Sequence, residues 1–522
     1  MKGAWQLPAL AGALVGLSYL PGPLLPLNLA GFLPLLYWLE CGAAASPYAR
    51  LRAGLVFGLT MHLTALHFMY SMLDQSWLAV LLYVGMAAAL AVRISLSVAL
   101  MGWLRRRTGL SWALLLPLCW LPFEWVQTWG DLRLTGEHLS HTVAGHPFVV
   151  QFADLAGPYG VGAFLLVTNG LVFEITRFRG QAAGRRAAVA LASLVVAVVA
   201  YDAWAWTRPE PSERTLRVAL IQPNVPLAVK RGANTESAQW ATLVKLSREA
   251  AALGAALIVW PESSRPTPLI HDLDRPQTRS AAEVQALADR LDVALLFGVE
   301  YARFGGGAEH RYYNAVFAAD AEGRLLEDWG AKVYLVPFVE ATPFRSLLGP
   351  LVSGRRGEWH WLAGGFTPGP RNAVLEIAGA KVGTLVCYEQ LFPDLARGLR
   401  NAGAELQVVI TNDAWFGRSL FQPYQANAAR LRAIENRTSV VRVANTGISG
   451  FIDTRGRYHH RTELFEQAVE VWDVPLTSRP TVYSRTGDVV AWLAIAGLLV
   501  VVGLSVTSGR SRVLDSVLRQ AG

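Results

Sequence analysis

Three residues whose side chains could carry covalent chemistry lie at the ends of apolar, strand-like runs. Cys387 follows the run at 383–386, Glu262 follows the run at 256–261, and Lys332 begins a third run. A lone cysteine at the corner between a strand and a helix is a candidate nucleophile. A thiol, a carboxylate and an ammonium are together the groups that acyl transfer through a thioester requires.

Each of the three side chains would have a distinct part in such chemistry. Glu262 could take the thiol proton as a general base. Lys332 could stabilise the oxyanion of a tetrahedral intermediate, with the backbone N–H of Tyr388 as a second donor. A cation near Cys387 would also lower the pKa of its thiol. Taken singly, each residue has an ordinary explanation as a surface glutamate, a solvated lysine or a buried cysteine.

The motifs around these residues resemble a known family. Trp260-Pro261-Glu262, Lys332 and Cys387-Tyr388-Glu389 are similar to the Glu-Lys-Cys triad of the nitrilase superfamily, and the whole chain resembles the apolipoprotein N-acyltransferase family. Three further segments match that family: Leu335-Val336-Pro337-Phe338, Thr411-Asn412-Asp413-Ala414-Trp415-Phe416-Gly417 and Asn445-Thr446-Gly447-Ile448-Ser449.

The resemblance implies roles for five residues. Glu262 corresponds to the general base, Lys332 to the lysine that stabilises the oxyanion, and Cys387 to the nucleophile that is acylated. Glu340 matches a second active-site glutamate, and Glu389 matches the acidic residue that follows the cysteine by two positions. An alternative for the last two is that they orient Lys332 or cap the helix after Cys387.

The resemblance also implies a fold and an activity. The fold is a multi-span α-helical membrane bundle plus an α/β nitrilase-like domain, an αββα sandwich. The activity is transfer of a fatty acyl chain from a phospholipid, through a thioester on Cys387, to the N-terminal amine of a diacylglyceryl-cysteine on an apolipoprotein. Mobile arms that cover the site belong to the same expectation, and residues 333–356, with Gly349 and Gly354, are the candidate for one arm.

Two alternatives remain beside this interpretation. A membrane-anchored carbon–nitrogen hydrolase would use the same triad with water as the acceptor, although one span would suffice to anchor it. A non-enzymatic scaffold with a degenerate nitrilase fold is disfavoured because all three triad residues are intact. We expect no cofactor, no metal ion, no nucleic-acid partner and a monomeric protein.

Composition indicates a membrane protein with a large polar domain. Of 522 residues, 52% are hydrophobic, the mean hydropathy is +0.30, and the net charge is +8. Between Ala203 and Asp488, however, 32 Lys and Arg oppose 30 Asp and Glu. The basic excess therefore lies outside that domain, in short loops, which argues against nucleic-acid binding.

Eight apolar segments approach the roughly 20 residues that cross a bilayer. They lie near 5–20, 24–40, 53–73, 77–104, 110–127, 158–176, 187–206 and 488–508. We take the first as an uncleaved span, and the first two as either short helices or a kinked pair. The prediction is a bundle of about seven spans at 1–206, a catalytic domain at 207–487, and a final helix with a short tail at 488–522.

The distribution of basic residues predicts the orientation. They cluster after every second segment. The clustered residues are Arg50, Arg52, Arg105, Arg106, Arg107, Arg177, Arg179, Arg185, Arg186, Arg510, Arg512 and Arg519. Both termini are therefore expected in the cytoplasm of a bacterium, with the catalytic domain on the periplasmic side of the inner membrane.

Strand-like and helix-like runs alternate within 207–487, which predicts sheets covered by helices. The predicted strands are 216–221, 256–259, 293–297, 315–319, 381–386, 406–410 and 439–443. The predicted helices are 237–253, 280–291, 394–401 and 425–435.

Some residues depart from these patterns. Arg93 and Glu124 are charges inside apolar segments, and they either contact a lipid headgroup or substrate, or form structural ion pairs or extend to the membrane interface. Val339 stands where the family usually has glycine, Arg231 where tryptophan is common, and residues 136–139 replace a Gly-Phe-Pro-Trp-like stretch. These departures leave substrate preference and loop packing open.

Overall fold

The computed structural model describes most of the 522-residue chain. The residues outside the description are 1–4, 23–24, 41–45, 75–77, 132, 134–136, 210–211, 213, 231–234, 273–278, 305–309, 338, 342–343, 345–364, 371 and 521–522. The chain divides into two compact units. Unit 1 comprises Met1–Thr128, Glu137–Trp204 and Asp488–Gly522, and unit 2 comprises Trp129–Gly136 and Ala205–Gly487.

Unit 1 is helical. Its helices are α1 (Gln6–Leu17), α2 (Leu25–Ala30), α3 (Leu33–Glu40), α4 (Pro47–Ala65), α5 (Leu78–Thr108), α6 (Trp112–Val126), α7 (Ala153–Arg177), α8 (Ala182–Thr207) and α15 (Val489–Gln520). Among the described residues, four helical stretches are long and apolar enough to cross a bilayer. They are Val80–Thr108, Ala153–Arg177, Ala182–Thr207 and Val489–Thr507.

The other predicted spans form shorter or broken helices. The segment at 24–40 forms two helices, α2 and α3, and the segment at 53–73 ends its α-helix at Ala65 before a 3₁₀-helix, His67–Asp74. Helix α6 has 15 residues and contains Pro117 and Pro122. The membrane bundle is thus helical as predicted, while the number of spans stays a prediction.

A buried ionisable cluster holds the two charges predicted within apolar segments. The Glu124 carboxylate is 6% exposed and lies 3.4 Å from Nδ1 of His138. The carboxylate of Glu137 lies 2.8 Å from Nδ1 of His62, and Arg93 is within electrostatic reach of both glutamates. Glu137 and His138 belong to the stretch that departs from the family pattern. The contacts favour the structural ion-pair interpretation of Arg93 and Glu124.

Unit 2 contains two mixed sheets. The first has the order β13-β1-β2-β4-β5-β6, with β3 also paired to β4, and the second has the order β12-β11-β10-β9-β8-β7. The strands are β1 (Arg214–Gln222), β2 (Leu257–Val259), β3 (Leu269–Asp272), β4 (Ala294–Phe304), β5 (His310–Ala319), β6 (Gly330–Ala331), β7 (Val374–Ile377), β8 (Ala380–Val386), β9 (Leu406–Thr411), β10 (Ser439–Ala444), β11 (Gly450–Ile452), β12 (Tyr458–His459) and β13 (Ala468–Leu476).

Helices cover the outer face of each sheet. The helices of unit 2 are α9 (Leu227–Lys230), α10 (Glu236–Ala252), α11 (Arg279–Leu291), α12 (Pro393–Asn401), α13 (Phe421–Asn436) and α14 (Val482–Thr486). Apolar residues of α10 and α11 share one core with the first sheet, and those of α12 and α13 share another core with the second. The two inner faces meet where a Cβ on Gly298 would lie 2.8 Å from Cδ1 of Ile410. This is the predicted αββα sandwich.

Every strand and helix predicted within 207–487 is confirmed, although β4 continues to Phe304, well past its predicted end, and β5 begins at His310, well before its predicted start. The strands that the pattern missed are β3, β6, β7, β11, β12 and β13. Several are very short, and β13 is only half-buried along most of its length. The strands of two to four residues are too short for a period of two to stand out, and in β13 apolar residues occupy both alternating sets of positions, so neither face is marked.

Candidate active site

The carboxyl ends of parallel strands bring the candidate site residues together. In the second sheet, Val386 of β8 pairs with Ile410 of β9, so Cys387 and Thr411 follow side by side. In the first sheet, Val259 of β2 pairs with Leu296 of β4. Glu262 lies three residues after the end of β2. Ligands of α/β sheets bind at such carboxyl edges.

Cys387 sits on a strained corner directly after β8. Its φ is +54°, a left-handed conformation that costs a non-glycine residue on the order of 1 kcal/mol or more. The Gln390 amide donates to the Cys387 carbonyl oxygen at 2.9 Å and holds this turn. Cys387 is 9% exposed. The corner therefore presents the thiol at the sheet edge while most of its surface stays out of water.

Lys332 is buried between two carboxylates. It directly follows β6 and is 1% exposed. Its Nζ lies 2.8 Å from Glu340 and 3.8 Å from Glu262. Burial by itself would lower the pKa of Lys332, but the negative charges of Glu340 and Glu262 and the hydrogen bond to Glu340 outweigh burial and raise it above its ordinary value. The lysine therefore remains a cation.

Glu262 is held by donors on both carboxylate oxygens. The Asn314 amide donates to Oε1 at 2.7 Å, and the backbone N–H of Asn412 donates to Oε2 at 2.7 Å. Its backbone carbonyl accepts from Nζ of Lys230 at 3.1 Å. Gly298 packs so closely that a Cβ there would lie 2.7 Å from the Glu262 Cα. The carboxylate is thus oriented from four elements of the domain.

The Cys387 thiol interacts with charges of both signs. Burial raises the pKa of the thiol well above its ordinary value, and the negative charges of Glu262 and Asp413 raise it further. Lys332 and a hydrogen bond with the Thr411 side chain oppose this rise without cancelling it. Lys332 therefore lowers the pKa of the thiol as the sequence predicts, but burial has the larger effect and the pKa is raised overall. Burial makes the resting group a neutral thiol, which needs a base to become a nucleophile.

Glu340 belongs to the site that Lys332 forms. Its Oε1 accepts from Lys332 at 2.8 Å, and its Oε2 accepts the backbone N–H of Val336 at 2.9 Å. The amide of Asn314 approaches the same Oε1 at 3.5 Å. Glu340 therefore orients the lysine, as one of the two sequence interpretations proposes.

Glu389 is a fully buried carboxylate with four N–H donors. They are the backbone groups of Val386, Val333 and Tyr334, at 2.7–3.2 Å, and the Asn372 amide at 3.0 Å. Burial raises the pKa of Glu389 to about 7, although these donors favour its charged form. Glu389 both caps the turn at Cys387 and fixes the two residues after Lys332, so both parts of its structural interpretation hold.

Tyr388 lies next to Glu389 in the turn after β8. Its hydroxyl donates to the Arg133 carbonyl oxygen at 3.0 Å, and its ring lies 5.0 Å from that of Phe392. The Arg133 guanidinium in turn stacks over the ring of Tyr334 at 4.2 Å. These contacts order the Tyr388 backbone, whose N–H is the predicted second oxyanion donor.

Sequence reasoning missed several polar residues of the site. Asn314 bridges Glu262 and Glu340 from within β5, and Lys230 reaches Glu262 from α9. Thr411 and Asp413 belong to the segment at 411–417 that matches the family, but the sequence alone assigns them no role. The available signal for Asn314 was an amide directly before the apolar run at 315–319, since buried amides need specific partners.

Parts of the predicted surroundings fall outside the described residues. Arg231 and positions 345–356 of the candidate arm, with Gly349 and Gly354, are among them. Val339 is described, and its N–H donates to the Val336 carbonyl oxygen at 3.2 Å in the turn that leads to Glu340. Within the described part of the chain, no group of three or more His, Cys, Asp or Glu residues could hold a metal ion.

Two family descriptions match the chain. "Apolipoprotein N-acyltransferase N-terminal domain" matches residues 11–171, and "Carbon-nitrogen hydrolase" matches residues 217–478. The second match spans the two-sheet domain with Glu262, Lys332 and Cys387.

Curated relatives match nearly the whole chain. The apolipoprotein N-acyltransferase of Geobacter metallireducens is 34% identical, over 96% of this chain and 95% of its own. That of Allorhizobium ampelinum is 29% identical, over 89% of each chain. Among solved structures, Saccharomyces cerevisiae Nit3, of the nitrilase superfamily, matches 52% of this chain and 93% of its own at 17% identity and a TM-score of 0.40.

Proposed function

Because this chain belongs to the apolipoprotein N-acyltransferase family, we propose that it moves a fatty acyl chain from a phospholipid to the N-terminal amine of a diacylglyceryl-cysteine on an apolipoprotein, through a thioester on Cys387. The observation that carries the proposal is the burial of Lys332 between Glu262 and Glu340 within electrostatic reach of the Cys387 thiol. That arrangement supports the proposal, because the proposed base and a cation lie beside the proposed nucleophile and away from water.

The first half-reaction forms the thioester. Glu262 accepts the thiol proton as the sulfur of Cys387 attacks the acyl carbonyl carbon. The resulting oxyanion is stabilised by the Lys332 ammonium and the backbone N–H of Tyr388. The carbon–oxygen bond to the lysophospholipid then breaks, and the leaving alkoxide takes the proton held by Glu262. The neutral resting thiol explains why this base is needed.

The second half-reaction transfers the acyl chain to nitrogen. A neutral α-amine attacks the thioester carbon, and the same donors stabilise the oxyanion. The carbon–sulfur bond breaks, Glu262 takes a proton from the nitrogen, and that proton returns to the departing sulfur. The products are an amide and the free thiol. Glu262, Lys332 and Cys387 are the proposed catalytic residues, and Glu340, Tyr388 and Glu389 support them.

The thioester is tested by intact mass. After incubation with a phospholipid of defined chains, the purified protein should gain one acyl mass that hydroxylamine removes. Cys387→Ala should abolish both this adduct and N-acylation of a diacylated lipopeptide. Cys119→Ala, which removes a buried thiol on α6, is the matched control and should retain both. N-acylation by Cys387→Ala would overturn the proposal.

The hydrolase alternative differs in its product. A carbon–nitrogen hydrolase with this triad would transfer the acyl group to water and release free acid. The proposed transferase releases lysophospholipid and N-acylated peptide in equal amounts. A large excess of free fatty acid over N-acylated peptide, with lipopeptide present, would favour the alternative.

The chain is a membrane protein, and we propose that it is a monomer that spans the bacterial inner membrane several times. Residues 207–487 would face the periplasm and both termini the cytoplasm, as the basic residues indicate. Alkaline phosphatase inserted near residue 305 should then be active, and phosphatase fused after Gly522 inactive. The reverse pattern would contradict this orientation.

A further inference from the structure

A ring of neighbouring polar residues begins and ends at Cys387. The Gln390 amide donates to the Cys387 carbonyl oxygen, and its own oxygen accepts from Nε of Arg442 at 3.0 Å. Nη2 of Arg442 donates to Oδ2 of Asp413 at 2.9 Å, and the Thr411 hydroxyl donates to Oδ1 of Asp413 at 2.7 Å. Thr411 completes the ring because the sheet register places it beside Cys387, where its side chain favours the charged form of the thiol.

The sheet register explains why this ring closes. Thr411 ends β9 and follows the residue that pairs with Val386, so it lies directly beside Cys387. It also pairs with Ala444 of β10, the strand that carries Arg442. A Cβ on Gly447 would lie 2.1 Å from Oδ2 of Asp413, so only glycine leaves room for that carboxylate. The pairing of the strands in the second sheet therefore fixes the position of Thr411 beside the Cys387 thiol.

The ring is sealed from water. Gln390, Arg442, Asp413 and Thr411 are each 0% exposed. The Asp413–Arg442 pair does not depend on Thr411 alone, because Arg442 also donates to the Gln390 side chain and to the Ile448 carbonyl oxygen. Asp413 and Arg442 therefore hold their places while the groups around the sulfur change.

A threonine hydroxyl carries one proton and can donate to only one acceptor at a time. In the resting site that proton goes to Asp413, which leaves the Thr411 oxygen facing the thiol as an acceptor. A negatively charged sulfur would be a stronger acceptor than the carboxylate that Arg442 already neutralises. Rotation of one hydroxyl then redirects the proton to sulfur without movement of the backbone.

We propose that the Thr411 hydroxyl is a switchable hydrogen-bond donor to the Cys387 sulfur, held on Asp413 in the resting site and turned to the sulfur whenever it carries negative charge. This inference rests on the proposed function in taking Cys387 as the nucleophile. Thr411 contacts the reacting atom and is a catalytic residue, whereas Asp413 and Arg442 are positioning residues that act through it.

Both half-reactions would use this donor. The sulfur gains negative charge as Glu262 removes its proton in the first half-reaction, and again as it leaves the tetrahedral intermediate in the second. Lys332 then interacts chiefly with the carbonyl oxyanion, and Thr411 with the sulfur. The charged groups that act on the thiol are Glu262 and Lys332 from the first sheet and Asp413 and Arg442 from the second.

The rate at which iodoacetamide alkylates Cys387 tests the proposal without any acyl substrate. Mass spectrometry of the peptide that contains Cys387 separates this rate from those of the other cysteines. Thr411→Val keeps the shape and removes the hydroxyl, so alkylation at pH 8 should slow by about three- to tenfold, as for a thiol whose pKa rises by about one unit. Thr411→Ser keeps the hydroxyl and should match the wild type. Thr411→Ala serves if the valine variant does not fold.

Asp413→Asn should have the opposite effect. The asparagine oxygen can still accept from Arg442, and its NH₂ group then faces Thr411, which must donate to sulfur. Alkylation should accelerate by about three- to tenfold. In a Thr411→Val background, Asp413→Asn should accelerate it much less, because only the removed charge then acts. Loss of the Asp413 charge by itself predicts the same acceleration in both backgrounds, so equal acceleration with and without the Thr411 hydroxyl would also overturn the inference.

Equal alkylation rates for Thr411→Val, Thr411→Ser and the wild type would overturn the inference. So would changes of the same sign in Thr411→Val and Asp413→Asn. The proposed function is judged separately, by whether wild-type Cys387 forms the acyl adduct with phospholipid. If the wild type forms no adduct while the alkylation rates shift as expected, the proposed function is rejected and the proposed hydrogen-bond switch is retained.

Discussion

Lys332 donates to Glu340 at 2.8 Å, a full ångström closer than its distance to the proposed base, Glu262. Both members of the closer pair are largely shielded from water. Glu340 therefore does most to keep the lysine charged and in place, and Glu262 stays available to exchange a proton. Two carboxylates around one ammonium thus divide into an orienting group and a proposed base.

Glu340→Gln should separate these two roles. The change removes the carboxylate whose charge has the largest raising effect on the pKa of Lys332. Burial then lowers that pKa. We expect a loss of about 100-fold in transfer rate, the scale of losing an oxyanion donor. The alkaline limb of the pH profile should also move to lower pH, because Lys332 loses its proton more readily. Both are measured from transfer rates between pH 6 and 10.

Glu376→Gln is the matched control for this variant. Glu376 lies on β7 and pairs with Lys381 at 3.7 Å on an exposed edge. Pairs of this kind contribute little, so its transfer rate should stay within about twofold of the wild type. An unchanged alkaline limb in Glu340→Gln would contradict the orienting role.

Asn314→Ala tests the bridge between the carboxylates. It removes the 2.7 Å hydrogen bond to Oε1 of Glu262 and leaves a buried acceptor without that donor, at a cost of about 1–3 kcal/mol. We expect both half-reactions to slow by about 10- to 100-fold, because the base serves both. Rapid-quench measurement of adduct formation and decay gives the two rates. Asn401→Ala, which loses one bond to the Ser484 carbonyl oxygen, should leave both unchanged.

Glu389→Gln should change how stability depends on pH. Burial raises the pKa of Glu389 to about 7 from its ordinary 4.5, so the folded protein binds this proton more tightly than the unfolded chain does. Stability from this group therefore falls as pH rises from 4.5 through 7 and is level outside that window. The total is roughly 3 kcal/mol. Apparent Tm in detergent between pH 4 and 8 should fall less steeply in the variant than in the wild type.

Glu249→Gln, on the exposed face of α10, controls for the loss of one carboxylate. Its Tm should follow pH as the wild type does. Glu389→Gln should also be less stable at pH 8, because its amide turns one acceptor into a donor that faces an N–H group. An identical pH dependence in Glu389→Gln and the wild type would show that Glu389 does not titrate in this window.

Gly298→Ala should displace the proposed base. A Cβ there meets the Glu262 Cα at 2.7 Å and Cδ1 of Ile410 at 2.8 Å. Overpacking of this kind costs about 1–3 kcal/mol, and we expect a lower Tm with a transfer rate at least tenfold lower. Gly398→Ala, where nothing lies within 4 Å of the new Cβ inside α12, should instead be neutral or stabilising by up to about 1 kcal/mol. Wild-type transfer by Gly298→Ala would mean that this packing does not position Glu262.

The strands that carry the candidate site could be predicted because their signals are local. β2, β8 and β9 are buried along their whole length or nearly so, and continuous apolar runs of that length read as strands. The corner at Cys387 followed from the change of pattern after β8. Asn314 and Thr411 could not be assigned partners in this way, because their contacts join residues that are far apart in sequence.

The sequence by itself determined which chemical groups were available, where strands and helices would form, and which family the motifs resemble. These properties depend on residue type and on periodicity over a few turns or pleats. Only the tertiary structure decided that Glu340 is closer than Glu262 to Lys332, that burial raises the pKa of the Cys387 thiol, and that the Thr411 hydroxyl donates to Asp413. Distances and burial arise from packing, and they set the charge of each group and the direction of each hydrogen bond.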